Sequence, residues 1–317
     1  MSVDTGSIKK HAAIVLTLIA VVSMVTVVYA GIRRAMPGMQ VRFNKRDFPE
    51  QDLHIIAPVD LAFEASIADY FKGNSNESFE TLKPFSVFIK NSGEKSVVAY
   101  ALVWQLVKRD GTVLTNTTSY SEPGILMGDE VPSDPRFRHT QTIEPNSMKC
   151  LSWSGAIDGG TQSSLGGTAS GPSRDQPVQD TFSAGLRDQL DADLLQASDI
   201  TVSLDGVFFD DGTFVGPNVS GFFERIQAMV SAKLDLISEI ALANEQGKVE
   251  EAFDSVRAKG VVADVKITSE STPEDYYRYY SKLFAGEISA MKMHYGNAGL
   301  VARMVNSKKR ARILVRK

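Results

Sequence analysis

The run VVAYALVWQLV, from Val97 to Val107, limits what this chain can fold into more than any other stretch. Val98, Tyr100, Leu102, Trp104 and Leu106 recur at the two-residue period of a strand and make one wholly apolar face. The opposite face is apolar as far as Val103. A strand that is apolar on both sides has to be covered on both sides, so we read it as a central strand of a β-sandwich.

The flanking sequence agrees. In PFSVFIKN, Phe85, Val87 and Ile89 alternate with Ser86, Phe88 and Lys90, and NSGEKS (Asn91 to Ser96) is rich in turn formers. Asp110-Gly111 turns the chain into TVLTNTTSY, which reads as a hairpin partner. Further strands are expected at FRHTQTI, at MKCLSW and at DITVSLDGVFF, the last with Ile200, Val202, Leu204 and Phe208 on one side. Between Ile157 and Pro177 the glycine- and serine-rich DGGTQSSLGGTASGPSRDQ has no apolar period and is expected to be a flexible loop. A short polar helix is expected near Phe182 to Ala197.

The most chemical-looking stretch is FFDDGTFVGP, Phe208 to Pro217. A calcium loop needs oxygen ligands at alternate positions before its glycine, and the residues there are Val207, Phe209 and Asp211. Two of those three are apolar. Asp211-Gly212 instead suits a two-residue hairpin turn with positive φ at both positions, leaving Asp205 and Asp210 as the only helpers a metal could recruit.

Beyond Pro217 the period lengthens. Phe222, Ile226, Met229, Val230, Leu234, Ile237 and Ala241 mark an amphipathic helix that stops near Gly247, and VEEAFDSVRAKG reads as a shorter one ending at Gly260. VVADVKI is a possible strand. STPED then starts a helix, with Thr272 as cap, Pro273 at the first position, and Glu274 and Asp275 at the positive end of the dipole. Its stripe is Tyr277, Tyr280, Phe284, Ile288, Met291, Tyr295 and Ala298. The last eighteen residues hold seven basic side chains and no acidic one, read as a solvated or frayed terminus, with contact to anionic lipid or an acidic polymer as the alternative.

At the other end, AAIVLTLIAVVSMVTVVYAGI (Ala12 to Ile32) is uncharged and matches the ~20 residues a helix needs to cross a bilayer. Its length favours an uncleaved anchor. A signal cut after Ala30 and a buried soluble helix are the alternatives. Lys9 and Lys10 precede the run, whereas Arg33, Arg34, Arg42, Lys45 and Arg46 follow it, so charge alone argues for a body facing the cytoplasm. The sandwich reading, a module common at cell surfaces, argues for the outside.

Motifs with a reaction attached are scarce. GTASG (Gly167 to Gly171) has its serine in the wrong place for a nucleophile elbow. Ser92 and Lys95 match Ser-x-x-Lys by spacing but fall in a loop. His11, His54, His139 and His294 are scattered, and no spacing resembles a zinc site. Cys150 is the only cysteine, so no internal disulfide can form, and its setting is that of a small buried side chain. The cluster YYRYY (Tyr276 to Tyr280) reads as core and core edge rather than a sugar platform. Asn-x-Ser/Thr strings at Asn76, Asn116 and Asn218 matter only in a secretory pathway. A net charge of −4 gives no global pull on nucleic acid.

The anchor, the run VFIKNSGEKSVVAYALVW, and DGVFFDDGTFVGP feeding a helical part together resemble a loose group of uncharacterised bacterial exported proteins, of the kind found in soil acidobacteria, with an immunoglobulin-like sandwich. The antibody-type disulfide cannot exist here, and no catalytic residue comes with the resemblance. The expected fold is α+β: an N-terminal tail 1–11, a transmembrane helix 12–32, a basic irregular stalk 33–55, an immunoglobulin-like antiparallel β-sandwich 56–217 carrying the loop 157–177, a helical region 218–306 and a basic tail 307–317. The expected function is a single-pass, extracytoplasmic binding or interaction protein of the cell envelope. It contacts the membrane through residues 12–32 and binds an envelope protein or polymer. Catalytic, cofactor and metal residues are expected to be none, and no nucleic acid partner is expected. Two alternatives stand beside it: an envelope hydrolase using Asp205, Asp210 and Glu224, and a cytoplasm-facing anchored protein whose basic tail meets lipid or nucleic acid.

Overall fold

A computed structural model describes residues 41–72, 83–129, 142–153, 155–156, 192–261, 266–268 and 270–317. All of these but 41 and 42 belong to one compact unit, Phe43–Lys317. The expected anchor 12–32, the loop 157–177, His11, His139 and Asn76 lie outside the described residues. So do 137–141 of FRHTQTI, 262–265 of VVADVKI and 182–191 of the expected polar helix, of which 192–195 are helical and Ala197 already belongs to a strand. Among the described residues, no helix is long and apolar enough to cross a membrane.

The architecture is α+β, with two sheets and a helical layer. In chain order the elements are β1 (Arg42–Arg46), β2 (Leu53–Ile56), α1 (Phe63–Phe71), β3 (Ser86–Asn91), β4 (Val97–Lys108), β5 (Val113–Ser121), β6 (Ser147–Ser152) and β7 (Gly155–Ala156). There follow β8 (Ala197–Phe209), β9 (Thr213–Val215), α2 (Phe222–Glu245), α3 (Val249–Gly260), α4 (Pro273–Arg310) and β10 (Val315–Arg316). The larger sheet runs β10-β9-β8-β4-β5, with β1 also paired to β8; the smaller is β2-β3-β6-β7. The pairs β2–β3, β3–β6, β6–β7, β4–β5, β4–β8 and β8–β9 are antiparallel, whereas β10 runs parallel to β9, a departure from the all-antiparallel expectation.

The strand β4 is central, as its sequence requires, and it is covered on both faces. Tyr100, Leu102, Trp104 and Leu106 are fully buried. The Trp104 ring meets Trp153 edge-on at 6.5 Å, and Asn116 Nδ2 donates to the Trp153 carbonyl at 3.0 Å, so this face is met by the smaller sheet. Ala99 and Ala101, on the other face, share a core with Phe208, Phe214 and the buried stripe of α2, including Phe222, Ile226 and Met229. The second cover is therefore helical. The smaller sheet is enclosed in the same way: Phe88 and Cys150 pack against Phe63 and Phe71 of α1, and Leu151 shares the opposite face with Trp153.

Three expectations change. Residues 33–55 are not irregular throughout, because β1 and β2 form within 42–56; charged β1 is mostly exposed and sits beside β8, where Asn44 Nδ2 donates to Asp199 at 2.9 Å. Phe208 does not share a face with Ile200, Val202 and Leu204. On β8, Asp205 is an extra residue between the pairs Leu102–Leu204 and Ala101–Gly206, and this bulge reverses the alternation beyond it. The α4 stripe is not continuous, since Gly296 (φ 66°, ψ 174°) breaks the helix. Phe284 and Ser307 would be about 34 Å apart on a straight helix, yet they line one cavity, so the second arm folds back.

Candidate functional site

The region the sequence singles out, from Asp205 to Glu224, is a hairpin feeding a helix. Its tip is a turn. Gly212 N–H donates to the Phe209 carbonyl at 2.9 Å, Gly212 has φ 87°, and Asp211 has no positive φ. The loop is thus three residues long, a turn closed by a left-handed glycine, and not the two-residue form expected from Asp-Gly. Asp211 Oδ1 accepts from Thr213 N–H at 2.9 Å while Oδ2 takes Lys95 Nζ at 2.6 Å. Partial burial pushes the Asp211 carboxyl up, but the bonds from Lys95 and Thr213 outweigh it and hold it at about 2. Lys95, the second member of the Ser-x-x-Lys string, is occupied in this pair.

The junction lies at the other end of the hairpin. The bulge aims the Asp205 side chain inward, where it is 1% exposed. Its carboxylate accepts from Val219 N–H (2.6 Å), Ser220 N–H (3.0 Å) and the Ser220 hydroxyl (2.5 Å), and its carbonyl accepts from Asn218 N–H (2.9 Å). A buried carboxylate is tolerated when donors surround it, and here they come from the loop that leads into α2. Asn218, in the left-handed region at φ 60°, accepts Phe223 N–H at 2.7 Å and donates to Glu224 at 2.6 Å. Arg316 lies 3.6 Å from Glu224 and donates to the Pro217 carbonyl at 3.3 Å. Of the suggested acidic residues, Asp205 and Glu224 therefore flank Asn218. Asp210, in the turn, is about 16 Å from Asp205 along the strand. Among the described residues no group of three or more His, Cys, Asp or Glu could hold a metal.

The 308–317 segment completes this region, and it is docked, not frayed. Arg312 N–H donates to the Leu126 carbonyl, Val315 N–H to Gly212 and Lys317 N–H to Phe214. Two glycines make room for it: a Cβ on Gly128 would lie 2.1 Å from the Ser307 carbonyl, and one on Gly212 would lie 2.5 Å from that of Ile313. In the segment 312–316, which ends in β10, Arg312 donates to the Asp210 carbonyl, Leu314 packs on the helical core and Arg316 lies over the Phe214 ring, whereas Ile313 and Val315 are 83% and 50% exposed. The basic residues are plain in the sequence; the strand in which they end was hidden because its partner, β9, lies a hundred positions away.

A cavity of about 230 Å³ lies between α2 and the two arms of α4. Lys233, which pairs with Asp129 at 2.6 Å, lines it with Phe284, Met291, Arg303 and Met304. The other flagged residues are structural in their surroundings. Cys150 is buried, Tyr280 is in the helical core, Tyr277 donates to Asp235, and His54 and His294 are on the surface side of their elements. Compared with protein-family models, curated proteins and solved structures, the chain matches none of them.

Proposed function

We propose that this chain is a membrane-anchored binding or assembly protein of the cell envelope, held in the bilayer by residues 12–32, with its body outside the cytoplasm and an immunoglobulin-like relationship between its sheets. The resemblance to bacterial exported proteins belongs to the same proposal. The observation that carries the binding reading is the use made of the junction carboxylates. Asp205 and Glu224 spend their acceptor positions on this chain's own amide, hydroxyl and guanidinium groups, which fits a scaffold that displays loops and strand edges.

Reporter fusions after Lys317 test the placement. A periplasm-specific reporter should be active and a cytoplasm-specific one silent; the reverse pattern would overturn the extracytoplasmic assignment. Crosslinking in intact cells, followed by capture of the full chain, should then recover one dominant envelope component in fixed ratio. Recovery of the chain alone would contradict a partner-binding role.

A further inference from the structure

We infer that the 308–317 segment, the end of α4 followed by β10 on the edge of β9, is a contact surface for the headgroups and upper acyl chains of an anionic lipid layer. The inference builds on the anchored reading and adds a second, separable membrane contact. Two properties coincide there. Ile313 and Val315 are exposed on a segment pinned by the hydrogen bonds of Arg312 and Arg316 and by Leu314, which packs on the helical core, and Val219, two residues from the Pro217 that Arg316 grips, is 81% exposed. Around these aliphatic side chains, Lys308, Lys309, Arg312, Arg316 and Lys317 are all exposed.

Of the acidic groups nearby, Asp211 is engaged by Lys95, and Glu224, which accepts from Asn218, offsets Arg316, so the cationic rim rests on Lys308, Lys309, Arg312 and Lys317. Apolar side chains projecting from a cationic rim are what the interface of an anionic bilayer accepts. Other occupants fit less well. A second copy would bring like charges together. Nucleic acid would leave Ile313 and Val315 without apolar cover. A peptide strand would find a ladder only two residue pairs long. Lipid needs no register and satisfies both features.

The test uses the full chain reconstituted into vesicles, with an environment-sensitive fluorophore on Ile313→Cys; Cys150 is buried and does not compete for the label. Lys317→Cys serves as a second labelling site should the first variant fold poorly. In vesicles containing phosphatidylglycerol the emission should shift to shorter wavelength and be quenched by nitroxide-bearing acyl chains. Lys308→Glu with Lys309→Glu should abolish both effects. The same emission in purely zwitterionic vesicles would overturn the inference. So would a shift produced in those vesicles by soluble polyglutamate or RNA, which would assign the surface to a protein or a nucleic acid. Flotation with zwitterionic vesicles reads the anchor separately: a chain that fails to float disproves the anchor, while its response to added anionic vesicles still decides the surface.

Discussion

At the scale of single residues, Asp205 is the position on which most depends. Its carboxylate is buried and receives three donors from the loop before α2, so Asp205→Ala removes the acceptor of two amides and the Ser220 hydroxyl. The expected loss is about 2–4 kcal/mol, read as a lower urea midpoint, and Asp205→Asn, which keeps one acceptor, should lose less. A surface-like change below ~0.5 kcal/mol would show that the bonds are dispensable. Asp211 makes a pH prediction. Its folded pKa, about 2, lies below the ordinary 3.8, so the carboxylate stabilises the fold above about pH 4, and this contribution disappears as pH falls from 4 toward 2. In Asp211→Asn the slope of stability against pH across that window should flatten. The hairpin at Asp211 was readable because Asp-Gly breaks an apolar alternation, and the same Asp-Gly-Thr string builds the β4–β5 turn, where Gly111 has φ 86° and Asp110 accepts Thr112 N–H at 2.8 Å. The inward turn of Asp205 was not readable. A bulge is a mismatch between two strands, and β4 and β8 are brought together only by the fold.

Among the elements, the helices were the most legible. Their apolar spacing is local, and α3 begins and ends where its sequence pattern does. Thr272 caps α4 as expected, and Asp275 adds the reciprocal bond of a capping box, so Thr272→Ala should cost about 1 kcal/mol, measured by thermal unfolding. The break at Gly296 was missed because the apolar stripe continues through it. Its φ and ψ are open essentially to glycine alone. The C-terminal strand was also missed, being two residues long and basic. It yields a sharp test, because Gly212→Ala places a methyl group against the Ile313 carbonyl and strains a left-handed turn. That variant should lose amide-exchange protection at Val315 and Lys317, while α2 stays protected. Unchanged protection would mean that the strand is not held as described.

For the molecule as a whole, the doubly apolar β4 dictated a layered body, and what it could not say was the nature of each layer. Leu102 and Ala101 are equally silent about whether a sheet or a helix will cover them; one faces the second sheet and the other a helical core. Because β4 serves both interfaces, sheets and helices should unfold together. The chain's two tryptophans, Trp104 and Trp153, sit where the sheets meet, so the fluorescence and helical circular-dichroism transitions should coincide in urea. Separated midpoints would divide the body into independent units. The placement of that body rests on residues 12–32, and alkaline carbonate extraction of native membranes, followed by intact-mass measurement, tests it most directly. The account predicts that the chain stays in the pellet at its uncleaved mass; full-length or shortened chain released into the supernatant would contradict it.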